Sequence, residues 1–204
     1  MHCCVRELTS PLGEARPDMP SLLDGPRRIV CLTEETTETL YLLGEDDRIV
    51  GVSGFTCRPK EARQKPRVSA FTSAKIDRIL ELEPDLVLGF SNLQADIARD
   101  LTKAGVNVLV FNQRSVAEIL QMIVTLSRLV NAESRGINLA SKLQHELDRI
   151  AASAQHFNRR PRVFFEEWMD PLISGIRWVD ELVETAGGTS VFPLLRSMML
   201  DGVS

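Results

Sequence analysis

No apolar run in this 204-residue chain approaches the ~20 residues that a bilayer-crossing helix needs, so no transmembrane segment is expected. Positive charge is also thin. The net charge is -4, and no Lys/Arg cluster is longer than Arg27-Arg28 or Arg159-Arg160. Nucleic-acid binding needs a basic face, and no nucleic-acid partner is expected. Histidine is scarce: only His2, His145 and His156 occur, and His145 sits between Gln144 and Glu146 on a polar helix face, where it reads as solvated. The cysteines Cys3, Cys4, Cys31 and Cys57 form no C-x-x-C pair and have no histidine cluster beside them, so no metal site is expected. Cys3-Cys4 read as free thiols in an arm, and Cys31, inside an apolar stretch, as a buried inert thiol. The chain has no G-x-G-x-x-G (Gly51-Val52-Ser53-Gly54 is not one), no P-loop and no nucleophile elbow. The opening residues lack the apolar centre of a signal peptide, being interrupted by Arg6, Glu7, Glu14, Arg16 and Asp18. As written, the chain is expected to stay in the cytoplasm.

A hydrophobic share of 44% is enough for a packed core, and the apolar residues are arranged with a clear rhythm. After a Pro/Gly/Ser-rich arm (1–27), "RIVCL" (28–32) reads as a buried strand. Thr33 is placed to cap the following helix, with Glu34 and Glu35 in its first turn and Gly44 at its end. "RIVGV" (48–52) is a second strand, and the stretch to Phe71 reads as a long exposed loop. Asp46-Asp47, like Glu34-Glu35, read as solvated or capping acids rather than metal ligands.

The segment "KIDRILELEPDLVLGF" (75–90) then changes period. Ile76, Ile79, Leu80 and Leu82 have helical spacing, whereas Leu86-Val87-Leu88 is a continuous apolar run. Pro84 stops the helix, because the residue before proline avoids the α conformation. Thr72 or Ser73 is the expected cap of that helix. A further helix (about 93–104) and the strand "VNVLVF" (106–111) follow. Apolar runs alternating with helices predict an α/β fold built on a parallel sheet buried on both faces. Gly89-Phe90 falls at the carboxyl end of a strand, the edge at which open parallel sheets bind ligands.

Residues 115–160 contain no strand signal. Ser115 with Glu118 forms a capping-box pattern that opens one amphipathic helix. A second, over 133–156, has Leu139, Leu143, Leu147 and Ile150 in one stripe; about 24 residues span ~36 Å, long enough to link two lobes. Alternation resumes after Pro161 with strand "RVFFEEW", loop "MDPLISG" and helix "WVDELVETAGG". One of Glu166 and Glu167 must face inward or toward a cleft.

On "RIVCLTEETTETLYLLGEDDRIVGVS", "KPRVSAFTSAKIDRILELEPDLVLGF", "GVNVLVFNQRSVAEIL" and "PRVFFEEW...ISG...WVDELVETAGG", the chain resembles the substrate-binding proteins of ABC importers for cobalamin and iron-siderophore complexes, and most closely the cobalamin branch. The resemblance runs from Arg28 to about Phe192. It implies a Rossmann-like N-terminal lobe (28–114), a helical linker (115–160) and a second α/β lobe (161–204), in the manner of class III periplasmic binding proteins. It further implies a ligand, cobalamin or a ferric siderophore, held between the lobes, an ABC importer permease as partner, and no catalysis. Phe71 and Phe90 align with aromatics that line the corrinoid site, and Glu167 and Trp168 fall at cleft positions. Arg58 stands where the cobalamin branch has an aromatic, so the ligand differs or carries carboxylates. Asp77 aligns with an acid that docks on the importer, although an exposed helix acid is by default a surface charge.

Two departures from the family pattern stand out. Family members are usually exported, to the periplasm or the cell surface. In addition, only one strand-helix unit follows Pro161, whereas each βαβ unit takes ~30 residues, so the second lobe is expected to be incomplete. Val191, Phe192, Leu194, Leu195, Met198, Met199 and Leu200 would then form an apolar tail with little to cover it. The rival readings are a small-molecule enzyme using Glu166 or Glu167 on the same sheet, and a non-functional truncated family fragment.

Overall fold

The computed structural model describes residues 25–170 and 172–192. His2, Cys3, Cys4, most of the N-terminal arm and the tail positions Leu194 to Leu200 lie outside the described residues.

Strand β1 (Ile29–Cys31) is at the centre of a six-stranded sheet. Its partners are β2 (Ile49–Ser53) on one side and β5 (Leu86–Phe90) on the other, both parallel to it. Outward from β2 come β3 (Arg67–Ala70), parallel, and β4 (Ser73–Ala74), antiparallel. Beyond β5 lies β6 (Val108–Phe111), again parallel. The expected parallel sheet is borne out. Successive strand residues point to opposite faces, and both faces are covered. Ile29 and Cys31 pack toward helices α1 (Glu34–Leu42) and α4 (Val116–Leu129), against Leu40, Met122, Ile123 and Leu126. Val30 and Leu32 pack on the other side with Ile79 of α2 (Ile76–Glu81) and Ile97 and Leu101 of α3 (Ala95–Lys103). Each fully buried apolar side chain of this size contributes about 1.5–3 kcal/mol.

The helix stop at Glu83-Pro84-Asp85 is held by Arg28. Its guanidinium donates to the carbonyls of Leu82 (2.6 Å) and Glu83 (3.0 Å), groups the ending helix leaves unpaired. Asp85 returns the favour by accepting from the backbone N–H groups of Arg27 and Arg28, which fixes the start of β5 beside that of β1.

Four local expectations need correction. The stretch to Phe71 is not all loop: a 3-10 turn (Lys60–Gln64) leads into β3, which has one large apolar residue, Val68, and so lacks the run that marks the other strands. The cap of α2 is neither Thr72 nor Ser73. Ser73 is spent in β4, and the helix begins after Lys75. Thr33 stands at the N-cap position of α1 but makes no side-chain cap hydrogen bond; its hydroxyl instead donates to Glu35 Oε1 (2.7 Å). Finally, "RVFFEEW" is not one unpartnered strand. It divides into β7 (Arg162–Val163) and β8 (Glu166–Met169). The chain turns at Asp170, so β9 (Leu172–Ser174) returns antiparallel to β8, and β10 (Thr189–Ser190) pairs parallel with β7.

The Ser115–Glu118 capping box is present on both sides. Helix α5 (Glu133–Ala154) folds back on α4, and Gly136 is the point of closest approach. A Cβ there would fall 2.0 Å from Ser127 Oγ, so the crossing admits only glycine. Along the α5 stripe, Leu139 reaches the core, whereas Leu143 and Ile150 remain largely exposed. Helix α6 (Arg177–Thr185) docks on the start of α4, where Glu181 accepts from the Val116 N–H at 2.7 Å.

This distribution of burial sets an expected pattern of local stability. Amides of β1, β2 and β5 are expected to exchange at least ~100-fold more slowly than those of 162–170 and 172–176, because exchange follows the local cost of opening and the small sheets carry few buried contacts. Hydrogen exchange read by mass spectrometry checks this; equal protection in a monomeric sample would contradict it.

Candidate functional site

The order β4-β3-β2-β1-β5-β6 means that the chain leaves β1 toward one edge, then crosses over to build β5 and β6 on the other. The change of direction falls at the carboxyl ends of β1 and β5, the usual ligand position in such sheets. Phe71 and Phe90 reach that edge from separate strands. Phe71 follows β3, Phe90 ends β5, and their rings lie 6.4 Å apart at a 40° tilt. Both rings remain partly accessible.

One buried side chain holds them together. Gln94, 0% exposed, accepts from the Phe90 N–H through Oε1 (3.0 Å) and donates through Nε2 to the Phe71 carbonyl (2.8 Å). It sits in a 3-10 turn (Asn92–Gln94) that begins at Ser91, whose φ is 74°. The turn can approach this closely because residue 89 is glycine: a Cβ there would lie 2.7 Å from Gln94 Oε1. The Gly-Phe pair thus has two parts, with Gly89 admitting the amide that positions the ring of Phe90.

Around the pair stand polar groups from the neighbouring strand ends. After β6, Arg114 places its guanidinium 5.7 Å from the Phe90 ring centre, over the face. Nη2 of Arg114 donates to Asn112 Oδ1 (2.8 Å), Asn92 Oδ1 (3.2 Å) and Ser91 Oγ (3.4 Å). After β1, Glu34 accepts from the Ser53 hydroxyl at 3.0 Å. Burial raises the Glu35 carboxyl above its ordinary range, opposed by the Thr33 hydroxyl that donates to it. The Cys31 thiol beneath is pushed up to about 12 by burial, which keeps it protonated and unreactive, in accord with its inert reading. The edge can receive a flat apolar face and hydrogen-bond its periphery. Among the described residues, no three His, Cys, Asp or Glu side chains converge as metal ligands.

The other candidates from the sequence lie elsewhere. Arg58 pairs with Glu38 (3.1 Å) and lines a hollow of about 700 Å³ on the outer flank of α1 with Tyr41 and Leu42. Glu166, Glu167 and Trp168 are exposed on β8, and Trp168 donates its indole N–H to the Asp170 carbonyl at 2.9 Å. Among the described residues they make no hydrogen bond, ion pair or ring contact with Phe71 or Phe90. Asp77 is exposed in the first turn of α2. Sequence reasoning missed Gln94 and Arg114. Gln94 was findable as a polar residue one turn beyond a Gly-aromatic strand end, and Arg114 as the cation closing the β6 strand.

Replacing Gln94 with Ala removes the hydrogen-bond partner that it gives the Phe90 N–H and the Phe71 carbonyl. It is expected to cost about 1–3 kcal/mol, read as a fall in the urea midpoint at unchanged slope. A midpoint equal to that of the parent would show that the bridge is dispensable.

Comparison with known proteins finds relatives over most of the chain. A Vitamin B12-binding protein of Vibrio parahaemolyticus is 29% identical over 168 residues, 81% of this chain and 61% of that protein. An ABC transporter substrate-binding lipoprotein of Bacillus subtilis, YvrC, is 30% identical over 152 residues, covering 72% of this chain and 48% of its own length. Among solved structures, the periplasmic Vitamin B12 binding protein BtuF of Vibrio cholerae superposes with a TM-score of 0.69 at 26% identity, over 82% of this chain and 67% of that one. The apo periplasmic heme-binding protein RhuT from Roseiflexus sp. RS-1 gives 0.72 at 25% identity, over 81% and 65%. The chain therefore spans about three fifths of the length of the first of these relatives. The pattern of the Periplasmic binding protein family matches residues 29–196, and the chain belongs to that family.

Proposed function

We propose that the chain is the ligand-binding component of an ABC importer, and that its ligand is a corrinoid such as cobalamin or an iron complex such as heme or a ferric siderophore. The observation that carries this reading is the Phe71–Phe90 pair, tied by Gln94 at the carboxyl edge of the sheet. A flat macrocycle gains from offset contact with such rings beyond the area it buries. The names of the relatives, vitamin B12-binding, heme-binding and ABC transporter substrate-binding, support the same class.

In this reading residues 28–114 form the lobe that carries the aromatic platform, 115–160 the helical link, and residues from 161 onward the opposing wall, with Glu167 and Trp168 facing the ligand. Arg58 meets the ligand only if it leaves Glu38. Asp77, exposed on α2, docks on basic residues of the permease. The site of action is outside the cytoplasmic membrane, as the periplasmic and lipoprotein names of the relatives suggest. Among the described residues no helix is long and apolar enough to cross a membrane.

Titration with cyanocobalamin and with ferric protoporphyrin IX, followed by tryptophan fluorescence, tests the reading. Saturable quenching is expected with at least one of the two. Phe90→Ala is expected to weaken that binding about 10-fold, since losing the ring contact and its area is worth about 1–2 kcal/mol. No change up to millimolar cyanocobalamin and none with the porphyrin would overturn the assignment.

A further inference from the structure

We propose that Arg114 is an oxyanion subsite, so that the cleft selects the flat ligand that carries a carboxylate or phosphate at its rim over its neutral counterpart. The inference rests on the ligand reading above and adds to it the charge of the ligand.

Arg114 is notable for what it does not touch. The residue is partly buried, and its guanidinium has as acceptors two asparagine side-chain oxygens and one serine hydroxyl, all neutral and all reached through Nη2. Among the described residues no carboxylate pairs with it, and Nε and Nη1 have no hydrogen-bond acceptor. The carboxylate nearest in sequence, Glu118, is spent on the backbone. It accepts from the Arg114 N–H (2.6 Å) and the Ser115 N–H (2.9 Å), and these bonds hold its pKa below the usual range. A guanidinium withdrawn from water without a counter-ion is costly. Seven other arginines, Arg48, Arg58, Arg99, Arg128, Arg135, Arg149 and Arg177, each face a carboxylate.

Position supplies the second part. The three neutral acceptors come from the ends of β5 and β6, so the guanidinium is fixed by the same loops that present Phe90, and it lies over that ring. A ligand lying across Phe71 and Phe90 brings its rim to Arg114. Two aromatic rings alone would not discriminate charge, whereas a planar guanidinium with free N–H groups matches an oxyanion in charge and geometry.

Paired probes test this on the full chain. Ferric protoporphyrin IX is compared with its dimethyl ester, in which both propionates are neutralised, and cyanocobalamin with dicyanocobinamide, which lacks the phosphodiester. The parent is expected to bind the oxyanion-bearing member of at least one pair at least ~10-fold more tightly, the range of one charge-assisted hydrogen bond. The pair that shows the preference tells carboxylate from phosphate. Arg114→Gln is expected to remove the preference, lowering affinity for the oxyanion-bearing member about 10-fold more than for its neutral counterpart. Arg114→Lys, which keeps charge but not the fork, is expected to retain part of it, with circular dichroism showing both variants folded. Equal affinities within both pairs, or a preference that survives Arg114→Gln, would overturn the subsite while leaving the aromatic platform standing. Failure of all four probes would remove the ligand reading and the subsite together.

Discussion

The side-chain amide of Gln94 is the point on which the candidate site depends. A parallel sheet satisfies its own backbone along the strands but leaves unpaired groups where the strands end, and buried groups of that kind are expensive. At the carboxyl edge of this sheet one amide answers for two strand ends at once, taking the Phe90 N–H and giving to the Phe71 carbonyl. The rings follow from that pairing. The pairing in turn requires Gly89, because a side chain there would occupy the space that Gln94 Oε1 fills. Backbone satisfaction, a glycine and an aromatic platform are therefore one constraint rather than three.

The sheet that presents this edge is stabilised separately. Alternate residues of β1 feed two apolar clusters on opposite faces, and the Arg28–Asp85 exchange of hydrogen bonds sets the starts of β1 and β5 side by side. Their ends, where Thr33 and Phe90 emerge, are then aligned by the parallel register from Ile29↔Leu86 to Cys31↔Leu88. The region after Pro161 is built differently. Two short two-stranded sheets and the link between β7 and β8 carry Phe164, Phe165, Trp168, Met169 and Leu172 with much of their surface open. Its docking depends on Glu181 at the start of α4 and on contacts with α5.

Much of this was legible in the residues alone. Continuous apolar runs at 29–32 and 86–88, the proline after Glu83, and Ser115 with Glu118 each specify a local structure through one dominant interaction, and each element is present. The misses share a cause. Strand β3 is held by its ladder with β2 and by Ser69 bonding to Leu32, not by an apolar run, so its signal is in its neighbours. The division of 162–168 into β7 and β8 depends on the partners that β9 and β10 bring back. Gln94 and Arg114 look like surface residues in sequence; their roles arise from groups 23 and 22 positions away. Phe90 was placed at the ligand edge by the strand pattern, whereas Phe71 was identified only through resemblance to a family, and no spacing rule joins them.

The central claim is that the Gln94-linked rings are the surface a ligand meets. Ring-labelled phenylalanine NMR tests it most directly, with cyanocobalamin and ferric protoporphyrin IX as titrants and single Phe→Leu variants for assignment. The account expects the Phe71 and Phe90 resonances to shift together and saturate at one stoichiometry, with those of Phe164 and Phe165 moving less. Shifts confined to Phe164 and Phe165, with Phe71 and Phe90 unmoved at saturation, would contradict it.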